Sequence, residues 1–290
     1  MANAGATQKV RTLRPATGGA QRAPGAPNGS ESPGPTLHAS AAQRPVILHY
    51  HLFKNAGTSV DELLRQNFGS NWAAQEFGGT RRDNAAAVAD FIRNNPRLCA
   101  ISSHTALLPV PSIAGVNIFP IIFIRHPIDR LRSVYDFERR QNVNTAGARL
   151  AKTHDFAGYL RELLRNPRHR QIRNFQTFRL SHNEPARRTS ELECALATIL
   201  AFPFVGLVER FDGSLRELEA RLRPLIPEFR VQPVHRNAAL SRPAALADRL
   251  AGVAATLGRE LYDEICTANA DDLAIYNRMA ARFEAVGMRS

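Results

Sequence analysis

Lys54, Asn55, Ala56, Gly57, Thr58 and Ser59 stand in a row, and together they offer the groups that bind an anion. Glycine lets a backbone come close to a ligand. Thr58 and Ser59 bring hydroxyl donors, and Asn55 brings an amide donor. Lys54 stands out by type: of 38 Lys and Arg residues, only those at 9, 54 and 152 are lysine. Its small ammonium points one charge at one oxygen, a task that suits a wide guanidinium less well. A second group lies further on, where Arg125 and Ser133 are eight residues apart around His126 and Pro127. Arg125 can fork onto a phosphate. Between the two groups stands His104, whose imidazole, with an ordinary pKa of about 6.5, can accept a proton near neutrality.

Each group sits where a strand gives way to a turn. Val46 to Tyr50 is a short β-rich run. Val60, Leu63, Leu64 and Phe68 follow at helical spacing, so the first group occupies a strand, a tight loop and a helix start. A helix N-terminus offers unpaired N–H groups and the positive end of a dipole, which together bind phosphate-like anions. The same Gly-Thr-Ser also serves elsewhere as a plain helix cap. The ATPase loop places Lys directly after its last glycine, whereas Lys54 precedes Gly57 by three. Leu98 to Ile101 reads as a second strand and puts His104 at its carboxyl end, where open α/β sheets hold ligands. Asn117 to Ile124 is the clearest strand and runs into Arg125. Pro127 suits the first turn of the next helix, with Ser133 roughly two turns along.

The rest of the chain is read more coarsely. A polar loop is expected over 69–82, then a helix over 84–94 capped by Asp83 and stopped by Pro96. Loop is expected again over 141–155. Helices are expected over 155–164, 171–180, 191–200 and 212–223, a strand near 204–208, and mostly helix over 243–286. Residues 1–44 are rich in Ala, Gly, Pro, Ser and Thr and read as a disordered basic tail. Lys9, Arg11, Arg14 and Arg22 in that tail are candidates for a peripheral membrane contact.

With 290 residues and 44% hydrophobic content, the chain suits one large α/β domain or two small ones. Cys99, Cys194 and Cys266 are widely spaced and suggest neither a zinc site nor a disulfide framework. No stretch approaches the ~20 apolar residues of a spanning helix, and no signal-peptide core stands out. A cytoplasmic location is expected, and the Ala/Arg-rich, Lys-poor usage points to a high-GC bacterial source. The net charge of +12 calls for an anionic partner. Nucleic acid is not expected, because the arginines are scattered and aromatics make up only 7%.

The loop at 54–59 resembles that of sulfotransferases using 3′-phosphoadenosine-5′-phosphosulfate (PAPS), above all those related to carbohydrate and heparan sulfate enzymes. Their text is close to P-K-T-G/A-G-T-S. This chain keeps Lys54, Ala56, Gly57, Thr58 and Ser59 and departs at Phe53 and Asn55. Arg125 and Ser133 match the family's second signature, an apolar strand, R-[DNH]-P and a later Ser. Weaker echoes are Asn174 and Gln176 in an N-x-Q segment, Glu209 to Leu215 as E-R-F-D-x-S-L, and Asp272 to Tyr276. The likeness spans roughly 45–286, and 45–290 is expected as the sulfotransferase domain.

The resemblance implies a P-loop α/β sandwich: a parallel central sheet of four or five strands, helices on both faces and a helical C-terminal part. It implies Lys54 and the residues through Ser59 on the 5′-phosphosulfate, Arg125 and Ser133 on the 3′-phosphate, and His104 as catalytic base. Adenosine 3′,5′-bisphosphate would be the product, the acceptor a hydroxyl of a glycan or glycolipid, and no metal would be needed. A loop near Arg236 would close over the nucleotide. The alternatives are a P-loop nucleotide kinase and a non-catalytic protein that binds anions or nucleic acid.

Overall fold

A computed structural model describes residues 43–183, 190–231 and 245–287. Residues 1–42 of the expected basic tail and the loop around Arg236 lie outside the described residues, and Arg44, placed at the end of that tail, opens the first strand instead. Five parallel strands form one sheet in the order β2-β3-β1-β4-β5. They are β1 (Arg44–Tyr50), β2 (Trp72–Ala74), β3 (Ala100–Ser103), β4 (Val116–Ile124) and β5 (Val205–Leu207). The chain visits β2 and β3 on one side of β1, then crosses to β4 and β5 on the other. Because the strands are parallel, the turns after β1, β3 and β4 all leave from the same sheet edge.

Alternation along β1 assigns its two faces. Val46, Leu48 and Tyr50 pack with Ile101, Ile122 and Ile124 against α2 (Arg81–Asn94), α7 (Glu191–Ala201) and α11 (Ala270–Gly287). Ile47 packs with Phe119, Ile121 and Phe123 against α1 (Gly57–Phe68) and α8 (Phe211–Leu222). In β5, Gly206 pairs with Phe123, and a Cβ there would fall 2.5 Å from the Phe123 ring, so the ring takes the space. A third cluster joins α3 (Pro127–Arg140) to α5 (Phe156–Leu164), α9 (Leu246–Leu257) and α10 (Arg259–Ala268). This is the expected α/β architecture, with a parallel sheet between helices and a helical C-terminal part.

Several local expectations are revised. Within the expected loop 69–82, Trp72–Ala74 pairs with Ala100–Ser102 as an edge strand. Three residues are too few for alternation to reveal, and β3 supplies the template. Helix α2 starts at Arg81, with Thr80 before it bonded through Oγ1 to Asp83. Strand β3 ends at Ser103, two residues later than expected. Helix α3 runs on to Arg140, and Ala146–Thr153 forms α4, capped by the Thr145 side chain. The helix expected over 171–180 shrinks to α6 (Phe175–Leu180), entered through Asn174 in a left-handed conformation at φ 45°.

Candidate functional site

The turn between β1 and α1 is strained. Lys54 and Ala56 both take positive φ, 65° and 63°, a region that non-glycine residues enter at about 1–3 kcal/mol each. Buried hydrogen bonds hold it there. Asn55 is 1% exposed, and its Nδ2 donates to the Phe123 carbonyl at 2.8 Å and to Gln176 Oε1 at 2.7 Å. Arg125 Nη1 donates to the Lys54 carbonyl at 3.0 Å. At about 0.5–1.5 kcal/mol for a neutral bond and up to about 3 for a charged donor, these three offset the strain.

Helix α1 opens at Gly57, and no side chain caps it. Gly-Thr-Ser therefore does not act as its own cap. The Ser59 hydroxyl is buried without a hydrogen-bond partner, as a donor kept for an anion would be. Asn55 Oδ1 is an orphan too, but as an acceptor it does not suit an anion. Thr58 is exposed and Lys54 half-buried. The Lys54 ammonium lies 4.7 Å from the centroid of the Phe137 ring, and Phe53 meets that ring edge-on. Gly57 is required by contact: a Cβ there would lie 1.9 Å from His51 Cδ2.

Arg125 is only 3% exposed. Its Nε and Nη2 donate to Asp129 Oδ2 at 2.9 and 2.6 Å, and Arg249 shares the same carboxylate. With the bond to Lys54, three of its five N–H groups are used inside the fold. The side chain expected to fork onto a phosphate thus also fastens the turn after β4 to the turn after β1. Ser133 is buried on α3.

His104 sits just past β3, half exposed, and Glu76 grips it. Glu76 Oε1 accepts from His104 Nδ1 at 2.8 Å and from its backbone N–H at 3.2 Å. Oε2 accepts from the N–H and the hydroxyl of Thr105 at 2.9 and 2.6 Å. Burial pushes the Glu76 carboxyl up, but the hydrogen bonds from Thr105 and His104 outweigh it and hold it below its ordinary value. At about half exposure on each side, the pair adds little stability. What it fixes is the tautomer: the proton on Nδ1 faces Glu76 and the lone pair on Nε2 faces away.

Three residues absent from the sequence reading complete the cluster. His49 and His51 alternate onto the face of β1 that meets α1, where Asp61 stands between them. Asp61 Oδ1 is 2.9 Å from His49 Nδ1, and Oδ2 is 3.0 Å from His51 Nδ1. Burial raises the Asp61 carboxyl, yet the bonds from His49 and His51 prevail and hold it far below the carboxylate range. Burial, outweighing Asp61, lowers the His49 pKa and keeps the imidazole neutral. Ser102 Oγ adds a contact to His49 Nδ1 at 3.1 Å, itself bonded by Trp72 Nε1. Two imidazoles and a carboxylate within 4.8 Å are the donor set of a transition-metal site, but the Asp61–His49 contact is already a formed hydrogen bond. The His51 ring lies on the His104 ring, centroids 3.9 Å apart. The H-x-H at a strand end was the available sequence signal, because residues two apart share a face.

Gln176, one of the N-x-Q residues, is wholly buried. Its amide bonds the backbone N–H and carbonyl of Arg125 as well as Asn55. Asp272, 0% exposed, accepts from the Gln176 and Thr177 N–H groups at 3.0 and 2.7 Å and so caps the short α6. The structure therefore brings Lys54, Asn55, Ala56, Gly57, Thr58, Ser59 and Arg125 together, and links them to His104 through His51.

Among the described residues, no helix is long and apolar enough to cross a membrane. No family model matches the chain. An uncharacterized protein of the archaeon Archaeoglobus fulgidus is 34% identical over 250 residues, 83% of this chain and 98% of that protein. At that identity over nearly the whole of the relative, this chain belongs to the same family as the archaeal protein.

Proposed function

We propose that the protein transfers a sulfuryl group from PAPS to an acceptor hydroxyl, on a glycan or glycolipid, in the cytoplasm. One observation supports this most. The strained, uncapped turn bearing Lys54 touches the turn bearing Arg125 at 3.0 Å, while His104 stacks on His51 at the same sheet edge. A nucleotide with two separated anionic groups needs two such turns side by side, and the unpartnered Ser59 hydroxyl fits the same demand.

PAPS, when bound, supplies a sulfuryl group joined to a phosphate that leaves. The Gly57 and Thr58 N–H groups and the Thr58 and Ser59 hydroxyls would hold the 5′ anion. Lys54 brings positive charge to the oxygen that gains negative charge on departure. Arg125 and Ser133 would hold the 3′-phosphate. His104 Nε2, with its partner nitrogen fixed on Glu76, takes the acceptor's proton.

The test is a thermal-shift titration followed by turnover. Adenosine 3′,5′-bisphosphate is expected to raise the Tm without added magnesium, and ATP is not. Lys54→Ala and His104→Ala are expected to lose transfer of labelled sulfate from PAPS into a glycan and glycolipid extract, with His104→Ala still binding the bisphosphate. Equal shifts from ATP and the bisphosphate, or full activity of His104→Ala, would overturn the reading.

A further inference from the structure

His49, His51 and Asp61 take no part in the transfer set out above, yet they meet beneath the loop that would hold the donor. His49 is 1% and His51 9% exposed, and the Asp61 side chain opens toward solvent at 20%. One nitrogen among them is unaccounted for. His51 Nδ1 lies 3.0 Å from Asp61 Oδ2, but that oxygen stands outside hydrogen-bond alignment, and the buried nitrogen has no hydrogen-bond partner. A buried polar atom is costly in that state unless something else takes it up. Its neighbours are of one kind: His49 Nδ1, His51 Nδ1 and an Asp61 oxygen all fall within 4.8 Å of one another. We infer that these three side chains bind one divalent transition-metal ion of the zinc class, which pins the end of β1 to the first turns of α1. This goes beyond the proposed transfer and does not depend on it.

The donor set decides the ion. Two imidazole nitrogens and one carboxylate suit zinc and its first-row neighbours, whereas magnesium and calcium prefer oxygen alone. Spacing fits as well. Two donors each about 2.1 Å from one ion stand roughly 3.0 Å apart at a right angle and roughly 3.4 Å apart in a tetrahedron. The two nitrogen–oxygen separations here are 2.9 and 3.0 Å, so a small inward movement of the rings completes the approach. The hydrogen bond between His49 and Asp61 is no obstacle, because it needs the ring proton on Nδ1. Moving that proton to Nε2 turns the Nδ1 lone pair toward the carboxylate, and the ion takes the place the proton held. The ring's net charge does not change. Ser102 Oγ, 3.1 Å from His49 Nδ1 and held by Trp72 Nε1 at 3.2 Å, bounds the site on the β3 side. Water fills the remaining positions from the side where Asp61 is exposed. The bound ion fixes the His51 ring, which takes the space a Cβ on Gly57 would need and lies on His104 at 3.9 Å.

The test titrates chelator-stripped, full-length protein with zinc, cobalt(II) and magnesium. Calorimetry is expected to count one zinc per chain. Zinc at about a hundredfold above its Kd is expected to raise the Tm by about 5 °C or more, and magnesium to leave it unchanged. Cobalt(II) should give visible d–d bands that zinc abolishes. Nitrogen-15 NMR of histidine-labelled wild type needs no substitution: zinc should move the Nδ1 signals of His49 and His51. Asp61→Asn keeps the shape and removes the charge, and His51→Phe keeps a flat ring and removes the ligand. Each is expected to weaken zinc binding about tenfold or more, while His154→Ala, on another element, keeps the wild-type affinity. The inference fails if zinc does not bind stoichiometrically, if the His49 and His51 signals stay in place, or if both variants fold and bind zinc like the wild type. Should both variants fail to fold, the wild-type NMR spectrum decides. None of these measurements uses PAPS, so their failure leaves the proposed transfer standing, and absence of transfer leaves the metal site standing.

Discussion

Glu209 allows a test of the electrostatics beneath the Arg125 turn without any ligand. Its Oε1 accepts from the His126 N–H at 2.8 Å, while Oε2 is buried with no hydrogen-bond partner. Burial is the main cause of its shift, only partly opposed by the His126 N–H and the Arg125 charge, and it pushes the carboxyl from 4.5 up to about 7. The sign follows from linkage. Below pH 4.5 both folded and unfolded chains carry the proton, and nothing is lost. Between 4.5 and about 7 the unfolded chain releases the proton while the folded chain keeps it, so stability falls as pH rises and the loss is complete above the folded value. At about 1.4 kcal/mol for each tenfold change in proton affinity, the full effect is about 3 kcal/mol. Because the residue is not fully enclosed, about 2 kcal/mol is the working figure.

Glu209→Gln mimics the protonated acid and cannot ionise. Its unfolding free energy minus that of the wild type should rise by about 2 kcal/mol between pH 4.5 and pH 8. Urea unfolding at several pH values gives both curves, with Trp72 fluorescence as reporter. His126, lowered to about 4 mainly by burial, has the opposite dependence: it costs stability as pH falls below 6.5. Both chains share that term, and the subtraction removes it. A constant difference across the range would show that Glu209 ionises normally in the fold, and that burial of its carboxyl has been overstated.

Gly57→Ala places a methyl 1.9 Å from His51 Cδ2, so the ring must leave its seat. The variant should stay folded, with the midpoint concentration of adenosine 3′,5′-bisphosphate in the thermal-shift titration raised at least tenfold, a binding loss of about 1.4 kcal/mol. A wild-type midpoint would mean the turn tolerates the methyl. Asp272→Ala removes the acceptor for the Gln176 and Thr177 N–H groups and the Thr177 hydroxyl. Buried donors left unpaired cost about 1–3 kcal/mol each, so a loss of about 3 kcal/mol or more is expected in urea unfolding. A loss under about 1 kcal/mol would mean that water replaces the carboxylate and that Gln176 does not depend on it.

What could be read from the chain, and what could not, divides along contact distance in sequence. The turn at 54–59 follows its strand directly and precedes its helix directly, so a few neighbouring residues carry its whole signal. The same holds for Arg125, Pro127 and Ser133, and for His104 at a strand end. The groups that make these residues useful come from elsewhere. Glu76 lies 28 residues before His104 and stands in what reads as a polar loop, because the strand that delivers it is only three residues long. Gln176 lies 121 residues from Asn55, and Asp272 another 96 beyond Gln176. None of the three differs by type from a surface polar residue.

Asp61 is the instructive middle case. Next to Glu62 on an amphipathic helix, it reads as one more solvated acid. Only the pairing of β1 with α1 turns it toward His49 and His51. Two facts were nevertheless open to inspection: an H-x-H whose first member alternates with the apolar residues of β1, and an acid four residues after Gly57 on the helix those residues must cover. A charged residue just past the first turn of a helix packed on a strand that ends in histidines has little choice of partner. Burial makes an ionised carboxylate costly there unless it is bonded, and those imidazoles supply the N–H groups within reach. The partner of an acid near the start of such a helix is thus constrained by the strand the helix covers, even where the sequence between them carries no motif.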